Sequence, residues 1–447
     1  MAAVEKLGEP SISEIESMAY TDPLTGLGNR YRLRDKVRTL AAERADDPAP
    51  FTVGIVNLDG FKPINDLFGI AAGDEILCQV AHRLKACMPT GATVTRHSGD
   101  EFAFVLPLLF ERTGAERVGA MFKEVLSAPY DLGDRHVRLS ASFGFAIFPF
   151  AGEDFDDLMK SAETALYRSK RRGTGKVTVY SSEIAQEMRR ATQIEQALRN
   201  AIISDNIEVY FQPIVSLSDD RTVGFEALAR WNDPDLGFVS PAVFVPIAEE
   251  RGFIDALTEA LLRRAAQMAA TWPRELFLSF NLSSAQLTDR RTSQIVRSII
   301  SKAGLEPERL ELEITETAVM ADAEMAQQIV TDLREAGIRI ALDDFGTGQS
   351  SLGRLRDFTF DKVKIDRAFV CRIADDEASE HIIRAIVTMC QGLNLEVVAE
   401  GIEDFSEALK LKALGCGMGQ GYFYGRPMDC DATQKYLDEK YLSSAAE

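Results

Sequence analysis

Histidine is scarce in this chain, four residues in 447, and the six cysteines (Cys78, Cys87, Cys371, Cys390, Cys416 and Cys430) are scattered without a Cys-x-x-Cys pair. So few soft ligands argue against a zinc site, and the spacing offers no disulfide framework. The thiols read as free, mostly buried and reduced, which implies a cytoplasmic chain. No run of about 18 apolar residues is present to span a membrane, and the opening Met1-Ala-Ala-Val-Glu-Lys-Leu-Gly-Glu-Pro lacks the basic-then-apolar layout of a secretory leader. Basic residues are also short, 50 against 69 acids, for a formal charge of −19. Such a surface repels polyanions and argues against broad binding to nucleic acid or anionic membranes, though metal ions or local arginines can still hold a small anion.

What is present is an ordinary globular balance, 46% hydrophobic and 27% charged, over a length that calls for two domains. Residues 1–20 read as a short helical lead-in, with Ile12, Ile15 and Met18 on one face. Strands and helices then alternate over residues 21–180, giving an α+β domain with a hairpin at His97-Ser-Gly-Asp. Residues 181–200 hold no Gly or Pro and place Ile184, Met188, Ile194 and Leu198 at near-helical spacing. They predict a connecting helix, either a spacer or a transmitter of orientation. From 201 to 447, eight short apolar runs recur between helical segments, beginning at Val209, Val223, Phe277, Leu310, Ile338, Lys362, Val397 and Gly421. That count predicts a TIM-like (β/α)8 barrel, so the whole chain is α/β in class.

Carboxylates close several of these runs. Glu226 ends Thr222-Val-Gly-Phe-Glu, Glu313 ends Leu310-Glu-Leu-Glu, Asp343-Asp344 ends Ile338-Arg-Ile-Ala-Leu-Asp-Asp, and Glu400 ends Val397-Val-Ala-Glu. Buried unpaired acids cost several kcal/mol or more, so repeated acids at strand ends point to a divalent metal at the barrel mouth. With Gln212, Asn281 and Gln420 the set is dominated by hard oxygen donors, which favours Mg2+ or Mn2+. Adjacent Asp343 and Asp344 suit two ions about 3.5–4 Å apart, the arrangement for in-line phosphoryl displacement. Lys364 stands as the lone cation of an acidic mouth, able to orient a water or help deprotonate it.

Phe225-Glu-Ala-Leu-Ala-Arg-Trp resembles the signature of the EAL family of cyclic di-GMP phosphodiesterases. The likeness continues through Gln212-Pro-Ile, Asn281-Leu-Ser, Glu313-Ile-Thr-Glu, Asp343-Asp-Phe-Gly-Thr-Gly, Lys364-Ile-Asp, Ala399-Glu-Gly-Ile-Glu and Gln420-Gly-Tyr-Phe. The resemblance implies that Glu226, Asn281, Glu313, Asp343 and Asp344 are metal ligands and that Glu400 lies close to the second metal or its water. It implies that Lys364 stands near the nucleophilic water, and that Gln212, Leu228, Arg230 and Gln420 contact cyclic di-GMP. Glu316 would anchor the Asp-Asp-Phe-Gly loop, in which Gln349 stands where the family usually carries an aromatic. The rival reading is a silent cyclic di-GMP receptor, which would be expected to have lost a metal ligand.

Upstream, Asp22-Pro-Leu-Thr-Gly-Leu-Gly-Asn-Arg, Phe61-Lys-Pro-Ile-Asn-Asp and Ser98-Gly-Asp-Glu-Phe resemble the GGDEF family of diguanylate cyclases. By that resemblance Asn65 and Asp74 read guanine, Lys62 and Lys170 meet the triphosphate, and Asp100 binds metal. Five departures point to a degenerate site: Asn57 replaces a metal-binding aspartate, Ser98 a glycine, Ile70 a histidine and Thr174 an arginine, while Pro89 and Ala92 stand in place of the inhibitory Arg-x-x-Asp motif. The expectation is a domain that makes little or no cyclic di-GMP but can bind GTP and regulate the barrel, within a homodimer.

Overall fold

The computed structural model describes residues 19–42, 50–107, 109–133, 135–171, 173–316, 318, 322–345, 358–371, 373 and 376–442. The expected lead-in helix up to residue 18, and the loop holding Gln349, lie outside the described residues. The chain divides into two compact units, Met1–Ala191 and Thr192–Glu447. No helix among the described residues is long and apolar enough to cross a membrane.

The first unit is built on a five-stranded sheet of order β2-β3-β1-β6-β7, with β1 Phe51–Asp59, β2 Thr93–Ser98, β3 Glu101–Leu106, β6 Ser140–Phe148 and β7 Val177–Val179. A small pair, β4 Tyr130–Asp131 and β5 His136–Val137, stands apart from it. β1 is central and antiparallel to both β3 and β6. Eight of its nine residues are buried, because helices cover both faces; a strand covered on two sides reads as a continuous apolar run. On one face Ile76, Val80, Leu84 and Phe122 pack against Phe102, Phe104, Phe143 and Phe145. On the other, Leu33, Val37, Leu158 and Leu166 pack against Phe51, Val53 and Ile55. The helix Phe155–Arg171 lies so close to β6 that a Cβ on Gly144 would stand 2.1 Å from the Ala162 carbonyl oxygen. The expected hairpin is present between β2 and β3, and only Gly99 of its turn takes positive φ. Ser98 therefore carries no left-handed strain where it replaces a glycine.

A single helix, Ser182–Ile203, runs from the first unit into the second, and Ile194, Leu198 and Ala201 join the second unit's core. The second unit is a closed barrel. Its strands are β8 Glu208–Ser216, β9 Thr222–Asp233, β11 Phe277–Asn281, β12 Leu310–Thr315, β13 Arg339–Phe345, β14 Lys362–Ile365, β15 Glu396–Ala399 and β16 Met418–Gln420, while β10 Gly237–Val239 extends β9 as a hairpin. Seven strands from β9 round to β16 run parallel, whereas β8 is antiparallel to both neighbours. The physical reason is the short link between Ser216 and Thr222, since a parallel pair needs a crossover of a dozen or more residues. Leu310, Leu312, Ile314, Val363 and Ile365 face the surrounding helices and leave the alternate positions to the interior.

Two expectations are corrected. The eighth strand is Met418–Gln420, not Gly421-Tyr-Phe-Tyr. After pairing with β15 the chain turns at Gly421, whose backbone crowds Ile402, and the Phe423 amide donates to the Ile402 carbonyl. The aromatic run thus leaves the ladder and stays partly exposed. The six cysteines are free, as expected, but only Cys390 and Cys416 are buried.

Candidate active site at the barrel mouth

Strand periodicity of two puts Asn281, Glu313 and Lys364 near the C-terminal ends of β11, β12 and β14 and Glu400 just past β15. Glu226, expected to close its run, sits mid-strand in β9, which continues to Asp233; all five gather at one end of the barrel. Lys364 is their hub. Its ammonium lies 2.7 Å from Glu313 Oε2 and 2.6 Å from Glu400 Oε1, and 3.8 Å from both Glu226 Oε1 and Asp343 Oδ1. Neutral donors complete the pattern. Asn281 Nδ2 donates to Glu226 Oε1 at 2.8 Å, and Gln420 Nε2 donates to Glu226 Oε2 at 2.6 Å. Gln420 also approaches Gln212 Oε1 at 3.2 Å, while Gln212 Nε2 donates to the Gly425 carbonyl at 3.1 Å.

The adjacent aspartates arrive by a break in the ladder. Leu342 pairs with Val363 and Phe345 with Ile365, so Asp343 and Asp344 together stand opposite the single Lys364. This is a β-bulge, a device that re-aims side chains near sites. Asp344 takes positive φ, 56°, and donates its amide to Asp343 Oδ1 at 2.9 Å. Aspartate tolerates that left-handed geometry better than most residues.

The electrostatics carry strain of their own. Burial, with Glu226 next and then Asp343 and Glu400 adding to it, pushes Glu313 well above the ordinary carboxylate range despite Lys364. Burial likewise lifts Glu400 to about 7, and burial together with Asp343 raises Asp344. For Lys364, burial opposes the charge, but Glu226, Glu313, Glu400 and Asp343 outweigh it and hold the ammonium well above the usual lysine range. A carboxyl with a raised folded pKa binds more protons folded than unfolded. Its contribution to stability is full below about 4.5, the unfolded value, and is lost as pH rises through about 7. Glu400 alone should account for a loss on the order of 2 kcal/mol, discounted for its partial exposure. The chelated protein should therefore melt lower at pH 8 than at pH 5, by about 2–4 °C per kcal/mol in scanning calorimetry. A melting temperature that rises over this interval contradicts the assignment.

Fit to metal ions can be judged from the donors. Among the described residues, no three acidic, histidine or cysteine side chains already form a cage for an ion; the carboxylates instead share the Lys364 ammonium. Yet Glu226, Glu313, Asp343, Asp344 and Glu400 set five carboxylates against one ammonium, a formal excess of four negative charges that burial makes costly. Hard oxygens and an uncompensated charge of that size suit a pair of divalent cations.

A cavity of about 230 Å³ opens beside these groups, lined by Gln212, Glu226, Leu228, Asp343, Glu400 and Gln420. It is also lined by Arg367, Glu403 and Tyr422, which sequence reasoning missed. Each follows a strand-end residue (Lys364, Glu400 and Gln420) by two or three positions, where barrel loops deliver functional groups, and that offset was the available signal. Leu228 also lines a neighbouring cavity of about 310 Å³. Arg230 belongs to this second cavity with Glu249, Asn281 and Ser283; it donates to the Ala229 carbonyl and stacks near Tyr210. Glu316 is half-buried one residue beyond β12, and the loop it was expected to anchor lies outside the described residues from 346 to 357.

In the first unit, Lys62 and Lys170 are exposed, and Asn65, Asp74 and Asp100 are half-buried. The Asn65 amide oxygen is buried without a hydrogen-bond partner and faces Gly73, where a Cβ would stand 1.9 Å from it. Asn57 is buried on β1, paired with Glu101 on one side and Ser142 on the other.

Comparison with known proteins agrees with this layout. A family model for the EAL domain matches residues 195–427, and one described as diguanylate cyclase, GGDEF domain, matches residues 19–176. An uncharacterised protein of Sinorhizobium fredii, y4lL, is 36% identical over 97% of this chain and 52% of its own length. The bifunctional diguanylate cyclase/cyclic di-GMP phosphodiesterase MucR of Pseudomonas aeruginosa is 34% identical over 94% of this chain and 62% of its own length. The chain thus spans about half to three-fifths of these relatives. A solved structure of the PaMucR phosphodiesterase in complex with c-di-GMP is 35% identical, superposes with a TM-score of 0.52, and covers 54% of this chain and 99% of its own. The chain belongs to the EAL domain family and carries a GGDEF domain in tandem ahead of the EAL domain.

Proposed function

We propose that the barrel hydrolyses cyclic di-GMP to linear 5′-pGpG, and that the GGDEF domain is a degenerate, GTP-responsive regulator rather than a working cyclase. The observation that carries the first half is the convergence of Glu226, Glu313, Asp343 and Glu400 on Lys364 at one end of the barrel. The relative named for both cyclase and phosphodiesterase activity, and the solved c-di-GMP complex, support cyclic di-GMP as the substrate. Every position where a silent receptor would be expected to lose a ligand keeps its acid or amide.

Glu226, Asn281, Glu313, Asp343 and Asp344 would hold two Mg2+ or Mn2+ ions, with Glu400 beside the second. Bound there, the ions supply Lewis-acid stabilisation of charge on the phosphoryl group. Water adds to one phosphorus as its bond to the 3′ oxygen breaks, leaving a 5′-phosphate and a 3′-hydroxyl. Lys364, 2.7 Å from Glu313 and 2.6 Å from Glu400, would orient the attacking water or help deprotonate it. Gln212, Leu228 and Gln420 line the substrate's cavity, and Arg230 is suited to an anionic or carbonyl edge in the neighbouring one.

In the first domain, Lys62, Asn65, Asp74, Asp100 and Lys170 are the residues proposed to bind GTP. The unpartnered Asn65 oxygen suits an N–H of a guanine edge. Asn57 removes a carboxylate from the cation site, which harms activation of a 3′-hydroxyl more than binding. The chain is proposed to act in the cytoplasm as a homodimer.

One assay tests both halves: purified protein is incubated with cyclic di-GMP and Mg2+ or Mn2+, with and without GTP, and the nucleotides are chromatographed. Linear product, formed faster with GTP, is expected; tight binding without cleavage would leave only the receptor. With GTP and Mg2+ alone, no cyclic di-GMP should accumulate, and synthesis at the rate of an intact cyclase would reverse the reading of the first domain.

A further inference from the structure

Beneath the Lys364 cluster lies a second ion pair. Lys362 and Glu311 each stand two residues before Lys364 and Glu313, so strand periodicity puts them in the barrel interior one layer down. Lys362 Nζ lies 2.6 Å from Glu311 Oε2 and 4.1 Å from the centroid of the Phe277 ring, and both charged side chains are essentially inaccessible, at 0% and 1% exposed. Phe277, against which Lys362 packs, forms a small apolar cluster with Ile214 and Val398.

The two layers meet at Ser279, a fully buried residue of β11. Its hydroxyl stands 2.7 Å from Glu313 Oε1 and 3.2 Å from Glu311 Oε1. A hydroxyl has one proton, so it can serve only one of these carboxylates at a time. The shorter contact is to Glu313, and Glu311 is charge-paired with the Lys362 ammonium, although neither Glu311 Oε2 nor Lys362 Nζ makes a hydrogen bond.

We propose that Lys362 is a positioning residue: by neutralising Glu311 it leaves the Ser279 proton free to orient Glu313 as a metal ligand. This rests on the metal-binding reading of the barrel mouth. Partners that orient ligating groups commonly matter about 10–100-fold in metal affinity. Without Lys362, the buried Glu311 carboxylate competes for the Ser279 proton, and Glu313 loses the donor that fixes its rotamer.

The test is Mn2+ affinity, measured by the EPR signal of the free ion, in the full chain without substrate. Lys362→Met and Ser279→Ala should each weaken binding by about 10–100-fold. The double variant Lys362→Met/Glu311→Leu removes the competitor along with the counter-charge, so its affinity should return toward that of the parent. Calorimetry of each variant separates this from loss of fold, and Ser279→Ala stands as the informative variant if Lys362→Met does not fold. Variants that melt lower yet bind Mn2+ as the parent does would show a merely structural pair and overturn the inference alone. So would a double variant as weak as Lys362→Met. A parent chain that takes up no Mn2+ overturns the proposed function and this inference with it.

Discussion

Glu226→Ala should abolish cyclic di-GMP hydrolysis while leaving the fold intact. Its carboxylate is held by Asn281 at one oxygen and Gln420 at the other, and it also faces Lys364. Of the acids in the site, it alone joins the donor amides, the lysine and the substrate cavity. Losing a metal ligand forfeits several kcal/mol of transition-state stabilisation, a fall in turnover of about a thousandfold or more. Stability should hardly suffer, because the change removes one of several mutually repelling carboxylates and relieves Glu313, whose proton affinity Glu226 raises. Steady-state kinetics beside thermal melting checks both halves. A variant that keeps full activity refutes the ligand role.

Lys364→Ala is expected to behave differently on both axes. Turnover should drop about 10²–10⁴-fold, the usual range for a positioned proton-handling group, with a much smaller change in substrate affinity. The metal-free variant should also be destabilised by about 3–5 kcal/mol, because Glu313 and Glu400 lose the ammonium at 2.7 and 2.6 Å. Saturating Mg2+ should restore part of that stability by neutralising the same carboxylates. Kinetics and calorimetry with and without chelator separate these effects. If affinity collapses while turnover survives, Lys364 binds substrate and does not assist the chemistry.

The legible part of this protein was its periodicity. Acids closing β-like runs announced both the barrel and the end at which its site lies, because a period of two fixes which side chains share an interior. What the run pattern could not convey was local geometry. The antiparallel β8 depends on a loop of five residues, and the displaced end of β16 on close backbone approach at Gly421. The bulge at Asp343-Asp344 is invisible in composition, since Asp-Asp before Phe-Gly reads equally well as a plain turn. Arg230 shares the EAL signature and a strand face with Leu228 yet lines the adjoining cavity, because β9 runs on to Asp233, past the level of Glu226. The layer formed by Lys362 and Glu311 was spelled by the same i, i+2 spacing that placed Lys364 and Glu313. It went unread because those residues precede the strand ends where function was sought.

The most direct test of the account is where manganese goes. Crystals grown with Mn2+ and cyclic di-GMP should show two anomalous peaks among Glu226, Asn281, Glu313, Asp343 and Asp344, with the dinucleotide against Gln212 and Gln420. An ordered dinucleotide in that cavity with no anomalous density beside those oxygens would contradict it.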